Sequence, residues 1–188
     1  MAYSSGFNPH PRISYANASP TGASTEAEFL EIGLAEVCDP EKVRLALDAA
    51  LPPGLDVVAV VAADGGPSLM DLLAVSEWRV DLVTAPAGLL ADAVSAFLGT
   101  DEVTVERMTK TGLRTFDTRA AVVSLTTLSD HELAMVLVQG TPLVRPDDVV
   151  TALRQIEPRL ASDQPPLLTR ILQGPRAADG SVGDPFAP

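Results

Sequence analysis

The chain has 188 residues and a formal charge of −12, and 46% of its residues are hydrophobic but only 4% aromatic. That length buries roughly 70% of the surface of the unfolded chain, enough for one medium core or two small ones built mainly from Ala, Val and Leu. The charge opposes non-specific association with DNA or anionic membrane, and the single cysteine, Cys38, excludes an intrachain disulfide, an iron–sulfur cluster or a cysteine-rich zinc site made from this chain alone.

No apolar window reaches the ~20 residues that cross a bilayer and no export leader is recognised, so a reducing cytoplasm is the expected location. Along the chain, residues 1–24 are rich in Gly, Pro, Ser and Asn, but Arg12 to Ala16 alternate as a strand, and Leu30, Ile32 and Leu34 alternate as its antiparallel partner. Asp39-Pro40-Glu41 starts a helix, with Asp as cap, Pro in the first turn and Glu at the positive dipole end. Pro52-Pro53-Gly54 ends it, and the β-branched run Leu55 to Ala62 predicts a buried strand.

Asp64-Gly65-Gly66-Pro67 reads as a linker, with a short helix from Ser68 to Ala74. Trp78, Val80 and Leu82 then mark a strand, and Pro86 to Leu98 a helix closed by Gly99. Val103 to Glu106 and Leu113 to Thr118 are predicted as a hairpin around Lys110-Thr111-Gly112, and Val122 to Leu128 and Leu133 to Val138 as a second one. A helix from Pro146 and a strand over Leu168 to Leu172 follow, and the tail from Gly174 shows no periodicity and is expected to be disordered.

These elements predict an α+β fold of two tandem ferredoxin-like (split βαβ) units, the first lacking its opening strand and helix. The boundaries are 1–63 for the incomplete first unit, 64–75 for the linker with its short helix, 76–173 for the second unit and 174–188 for the tail. A sheet without a central strand leaves backbone and an apolar face exposed, so a shortened N-terminus is expected.

Residues Ala2-Tyr3-Ser4-Ser5-Gly6-Phe7-Asn8-Pro9-His10-Pro11-Arg12-Ile13-Ser14-Tyr15-Ala16, followed by Pro20-Thr21-Gly22-Ala23-Ser24-Thr25-Glu26-Ala27-Glu28, resemble the signature of the radical-SAM-associated domain family. Lys110-Thr111-Gly112, Phe116-Asp117-Thr118-Arg119 and Arg145-Pro146 extend the resemblance to about residue 172. It implies a bacterial accessory domain encoded beside, or fused behind, a radical SAM protein, with no assigned activity and a basic strand and helix ahead of the Tyr-Ser-x-Gly-Phe segment.

In the loop Gly6 to Arg12, two prolines fix φ and His10 supplies an imidazole. Asn8, His10 and Arg12 are suited to a phosphate or nucleobase, with Phe7 or Tyr3 stacking; the plainer alternative is a loop that hydrogen-bonds itself. Arg107, Lys110, Arg114 and Arg119 form a locally basic hairpin suited to RNA phosphates, or else a solvated hairpin with Asp117 paired to Arg119 or Arg114. Glu26 and Glu28 would share one strand face, where two carboxylates can hold a proton or a metal, or else are the commoner solvated charges of a sheet edge. His131 has no partners that complete a metal site, and Cys38 reads as a small packing residue.

Taken together, an accessory binding module for a radical SAM enzyme, acting in RNA modification and carrying no cofactor of its own, is the leading expectation. A stand-alone enzyme using His10 on a phosphoryl or nucleobase substrate is the second, and a structural partner domain the third.

Overall fold

The structure, a computed structural model, describes residues 1–63, 65–110 and 112–187; Asp64 of the expected linker, Thr111 of the expected turn and Pro188 of the tail lie outside the described residues. The N-terminal alternation forms β1 (Ile13–Ala16) and, beyond the two-residue β2 (Ser24–Thr25), β3 (Phe29–Ile32). β1 and β3 pair antiparallel as expected, with Ile13 opposite Ile32 and Ala16 opposite Phe29. Helix α1 (Pro40–Ala50) starts where its signals place it: Asp39 Oδ1 accepts from the backbone N–H of Glu41 at 2.9 Å and of Lys42 at 3.3 Å.

The run from Leu55 to Ala62 does not form the predicted strand. The side chain of Asp48 accepts from Val57 N at 2.9 Å and Arg44 donates to Val57 O at 3.2 Å, so side chains of α1 satisfy this backbone where a strand neighbour was expected. Val58 is 87% exposed, against the buried position that its β-branched neighbours suggested.

The rest of the chain runs through α2 (Leu69–Leu72), β4 (Val75–Asp81), α3 (Leu89–Leu98), β5 (Thr104–Thr109), β6 (Gly112–Asp117), β7 (Val122–Thr127), β8 (Glu132–Val138), α4 (Pro146–Ile156) and β9 (Leu167–Gly174). Helix α3 starts three residues after Pro86, because Gly88 adopts a left-handed φ of 78° and turns the chain before the first helical residue. β5 and β6 pair with each other as a separate two-stranded sheet.

The main sheet has five strands in the order β2-β9-β4-β8-β7. β4 is antiparallel to both β8 and β9, β7 is antiparallel to β8, and β2 joins β9 in parallel. Each of α3 and α4 therefore lies between two parallel strands of this sheet, β4 and β7 or β8 and β9, that are separated by one other strand. The architecture is α+β. One core lies between this sheet and the two helices, with Trp78 and Val80, Phe97, Leu133, Met135 and Leu153 at its centre.

A smaller cluster of Ala16, Leu69 and Leu73, with Phe29 and Phe186 packed against it, joins the N-terminal hairpin to the tail. The tail carries defined contacts in place of the expected disorder. Arg176 bridges Val182, Gly183 N donates to Pro175 O at 2.8 Å, and the Phe29 and Phe186 rings meet edge-on with centroids 5.4 Å apart. Gly174 has no room for a side chain: an added Cβ would lie 1.9 Å from the carbonyl oxygen of Gly183.

Replacing fully buried Phe97 by Ala lowers the free energy of unfolding by about 3–5 kcal/mol. Val58→Thr, in the segment without a ladder, changes it by less than about 0.5 kcal/mol, and urea titration checks both.

Candidate functional site

The loop that carries the first predicted residues is clasped at its base. Ser4 N donates to the His10 carbonyl at 2.9 Å, His10 N donates to Ser4 Oγ at 3.0 Å, and Tyr3 bridges Pro11. Gly6, at φ 128°, makes the turn, and Phe7 beyond it is completely exposed. Tyr3, Asn8, His10 and Arg12 are exposed as well. Arg12 N donates to Ala2 O at 2.9 Å and its carbonyl accepts from Gly33 N at 2.7 Å, which anchors the loop to the end of β3. All five predicted loop residues thus share one exposed loop, held by the backbone hydrogen bonds of Ser4, His10 and Arg12.

The basic hairpin of β5 and β6 is split in two. Arg107 donates to the Asp148 carboxylate and, at 2.9 Å, to Leu143 O, and its guanidinium lies 4.8 Å from the Phe116 ring centre. Asp148 also accepts from Arg145 N at 2.7 Å; burial pushes its carboxyl above the usual range, against the pull of that N–H and of Arg107. Arg119 lies over Phe97 at 5.9 Å and donates to Val122 O at 3.3 Å. The Asp117 carboxylate accepts from the backbone of Val103, Arg119 and Ala120, not from a guanidinium. Arg107 and Arg119 therefore fasten the hairpin to the helices. Lys110 and Arg114 remain exposed, without an ion pair among the described residues.

The most constrained polar group is one that sequence reasoning missed. Arg170, in β9, is 2% exposed; it donates to Glu28 at 2.5 Å, to Asn17 O at 2.6 Å and to Thr25 Oγ1 at 3.3 Å, and lies 5.5 Å from the Trp78 ring centre. Burial lowers its pKa, with the Glu28 charge pulling the other way. Three residues further along β9, Gln173 Nε2 donates to Ala27 O at 2.6 Å. The only local signal was a polar residue in the apolar run Leu167 to Leu172, and nothing nearby in sequence names its partners.

Glu26 and Glu28 do not form the expected carboxylate pair. Glu28 is bound to Arg170 and accepts from Ser19 N at 3.3 Å, whereas Glu26 is exposed beyond the end of β2. His131 Nδ1 lies 2.9 Å from Asp81 Oδ1 in an exposed pair, and among the described residues no group of His, Cys, Asp and Glu is placed to hold a metal. Cys38 is exposed, against the packing role expected for it. It borders an apolar groove of about 510 Å³ between α1 and the end of β3, lined by Ile32, Leu34, Val37, Val43 and Leu47.

Residues 1–146 match the model of a family described as an uncharacterized protein conserved in bacteria, DUF2344. No curated protein and no solved structure matches the chain.

Glu28→Ala leaves the Arg170 guanidinium buried without a counter-charge and lowers stability by about 3 kcal/mol; Glu28→Ala with Arg170→Met recovers about half of that. Glu26→Ala shifts the urea midpoint negligibly, and equal losses for Glu26→Ala and Glu28→Ala would contradict the assignment.

Proposed function

Because the chain belongs to DUF2344, a family of uncharacterized proteins conserved in bacteria, we propose that it is a binding module that docks a radical SAM enzyme through the loop of residues 4–12. The enzyme as partner rests on the resemblance of residues 2–28 to radical-SAM-associated domains. The single observation that carries the docking role is Phe7: an aromatic side chain wholly in water, at the tip of a loop whose base is clasped by two hydrogen bonds. Burying such a ring against a partner contributes about 2–3 kcal/mol, and a pre-formed loop loses little conformational entropy on binding. His10 and Arg12, beside it, add donors for the rim of the contact.

RNA modification is the shared task in this reading, and Lys110 and Arg114 are its phosphate contacts. We read residues 76–173 as a ferredoxin-like unit on the strand order β9-β4-β8-β7, and residues 1–63 as part of a second one whose sheet is reduced to β1 and β3. Two free cations on a chain of charge −12 make a weak RNA surface by themselves, which places the protein contact ahead of the nucleic-acid one.

Tagged protein recovered from a native lysate brings down a radical SAM protein, and Phe7→Ala lowers that recovery at least about tenfold. Recovery of RNA alone, lost on Arg114→Ala with Lys110→Ala, would move the function to nucleic-acid binding. Equal recovery by wild type and Phe7→Ala would end the loop assignment.

A further inference from the structure

The main sheet carries its helices on one face only. Trp78, Leu125 and Met135 point toward them, so by alternation Glu77, Ser124, Thr126, Ala134 and Val136 point the other way. Cross-strand register sets these five in rows, with Val136 between Ser124 and Glu77, and Ala134 beside Thr126. The tail stands against this second face: at Gly180 an added Cβ would lie 3.2 Å from Cγ1 of Val123 in β7. Its loop is closed on itself. Ala177 N donates to Ser181 O at 2.9 Å, Gly180 N to Ala177 O at 3.0 Å, and Asp179 Oδ1 accepts from Ser181 N at 3.0 Å and Ser181 Oγ at 2.7 Å.

Sheet and tail enclose between them a cavity of about 400 Å³, with Glu77, Ser124 and Thr126 on its strand side and Arg176 on its tail side. A volume of this order suits a small molecule and not a polypeptide segment. Among the described residues, the side chains of these four make no hydrogen bond or ion pair. Asp179, which also lines the cavity, is occupied by its own turn. One free carboxylate and one free guanidinium therefore line the same small space without meeting each other. A purely anionic ligand leaves Glu77 without a counter-charge, and a purely cationic one leaves Arg176 without one. A molecule that carries both charges on adjacent atoms satisfies both through charge-assisted hydrogen bonds.

We infer that this cavity is a binding site for a free α-amino acid with a small side chain. The ammonium group donates to Glu77, the carboxylate accepts from Arg176, and the side chain rests on Ala134 and Val136, with the hydroxyls of Ser124 and Thr126 at hand for the remaining polar atoms. The site lies on a different part of the molecule from Phe7 and stands whether or not that loop docks a partner.

The test titrates the full chain by isothermal calorimetry with L-alanine, with L-alanine amide, which lacks the carboxylate, and with N-acetyl-L-alanine, which lacks the ammonium. L-alanine binds one to one with a Kd of about 1 mM or below, and each blocked compound binds at least tenfold more weakly. Glu77→Gln and Arg176→Gln, which remove no hydrogen bond of the fold, each weaken L-alanine at least tenfold and leave the urea midpoint in place. Arg79→Gln, two residues along β4 and outside the cavity lining, leaves binding unchanged. No saturable heat with L-alanine up to about 10 mM overturns the inference, as does equal binding of either blocked compound or unchanged binding by either cavity variant. The blocked compounds act on the unaltered chain, so they decide the matter even where a variant unfolds.

Discussion

The position of the whole N-terminal region depends on one buried cation. A guanidinium out of water must be surrounded by acceptors, and Arg170 finds them in residues 17–28, at Asn17 O, Thr25 Oγ1 and Glu28. β2 has only two residues and could not hold the segment to β9 by its ladder alone. The ion pair, the Trp78 ring beneath it and the Gln173 contact to Ala27 supply what the short ladder lacks. Replacing such a pair with apolar residues is often neutral in other proteins. Its structural effect here is positional: it determines where β1 and β3, and the loop they carry, stand on the main sheet.

From that anchor outward the molecule divides by how it treats apolar surface. Residues 75–174 enclose Trp78, Phe97, Leu133 and Leu153 between sheet and helices, and two of the four cations of their hairpin region are turned inward, Arg107 to Asp148 and Arg119 over Phe97. Residues 1–63 leave Phe7, Tyr15 and Leu30 in water on a framework fastened at several points. Exposed apolar surface on a fixed scaffold is what the proposed docking role calls for.

Much of the fold was legible because its signals are local. Asp39-Pro40-Glu41 starts α1 through the cap hydrogen bonds that its residue types imply, alternation marks β4 over Trp78 to Asp81 and β5, and short apolar runs mark β7 and β8. The misses are where side chains reach across the chain. Leu55 to Ala62 has strand composition, but Asp48 and Arg44 take its backbone groups. Arg107 and Arg119 look like free cations in sequence, yet Asp148 lies 41 residues from Arg107 and is brought to it by α4. The loop from Tyr3 to Arg12 was legible as a loop because Gly6 and two prolines shape it locally, whereas Arg170 had no sequence neighbour to mark it.

The contacts of β2 with β9 and of Phe29 with Phe186 also set an order of events during synthesis. Thr25 and Arg170 are 145 residues apart, and the ring that packs on Phe29 is two residues from the chain end. Residues 17–29 therefore leave the ribosome well before they are completed, since their acceptors wait for Arg170 and the apolar joint of Phe29 waits for Phe186. Until then Phe29 stands uncovered on the nascent hairpin, and β1 and β3 have nothing to hold them to a sheet that is not yet made.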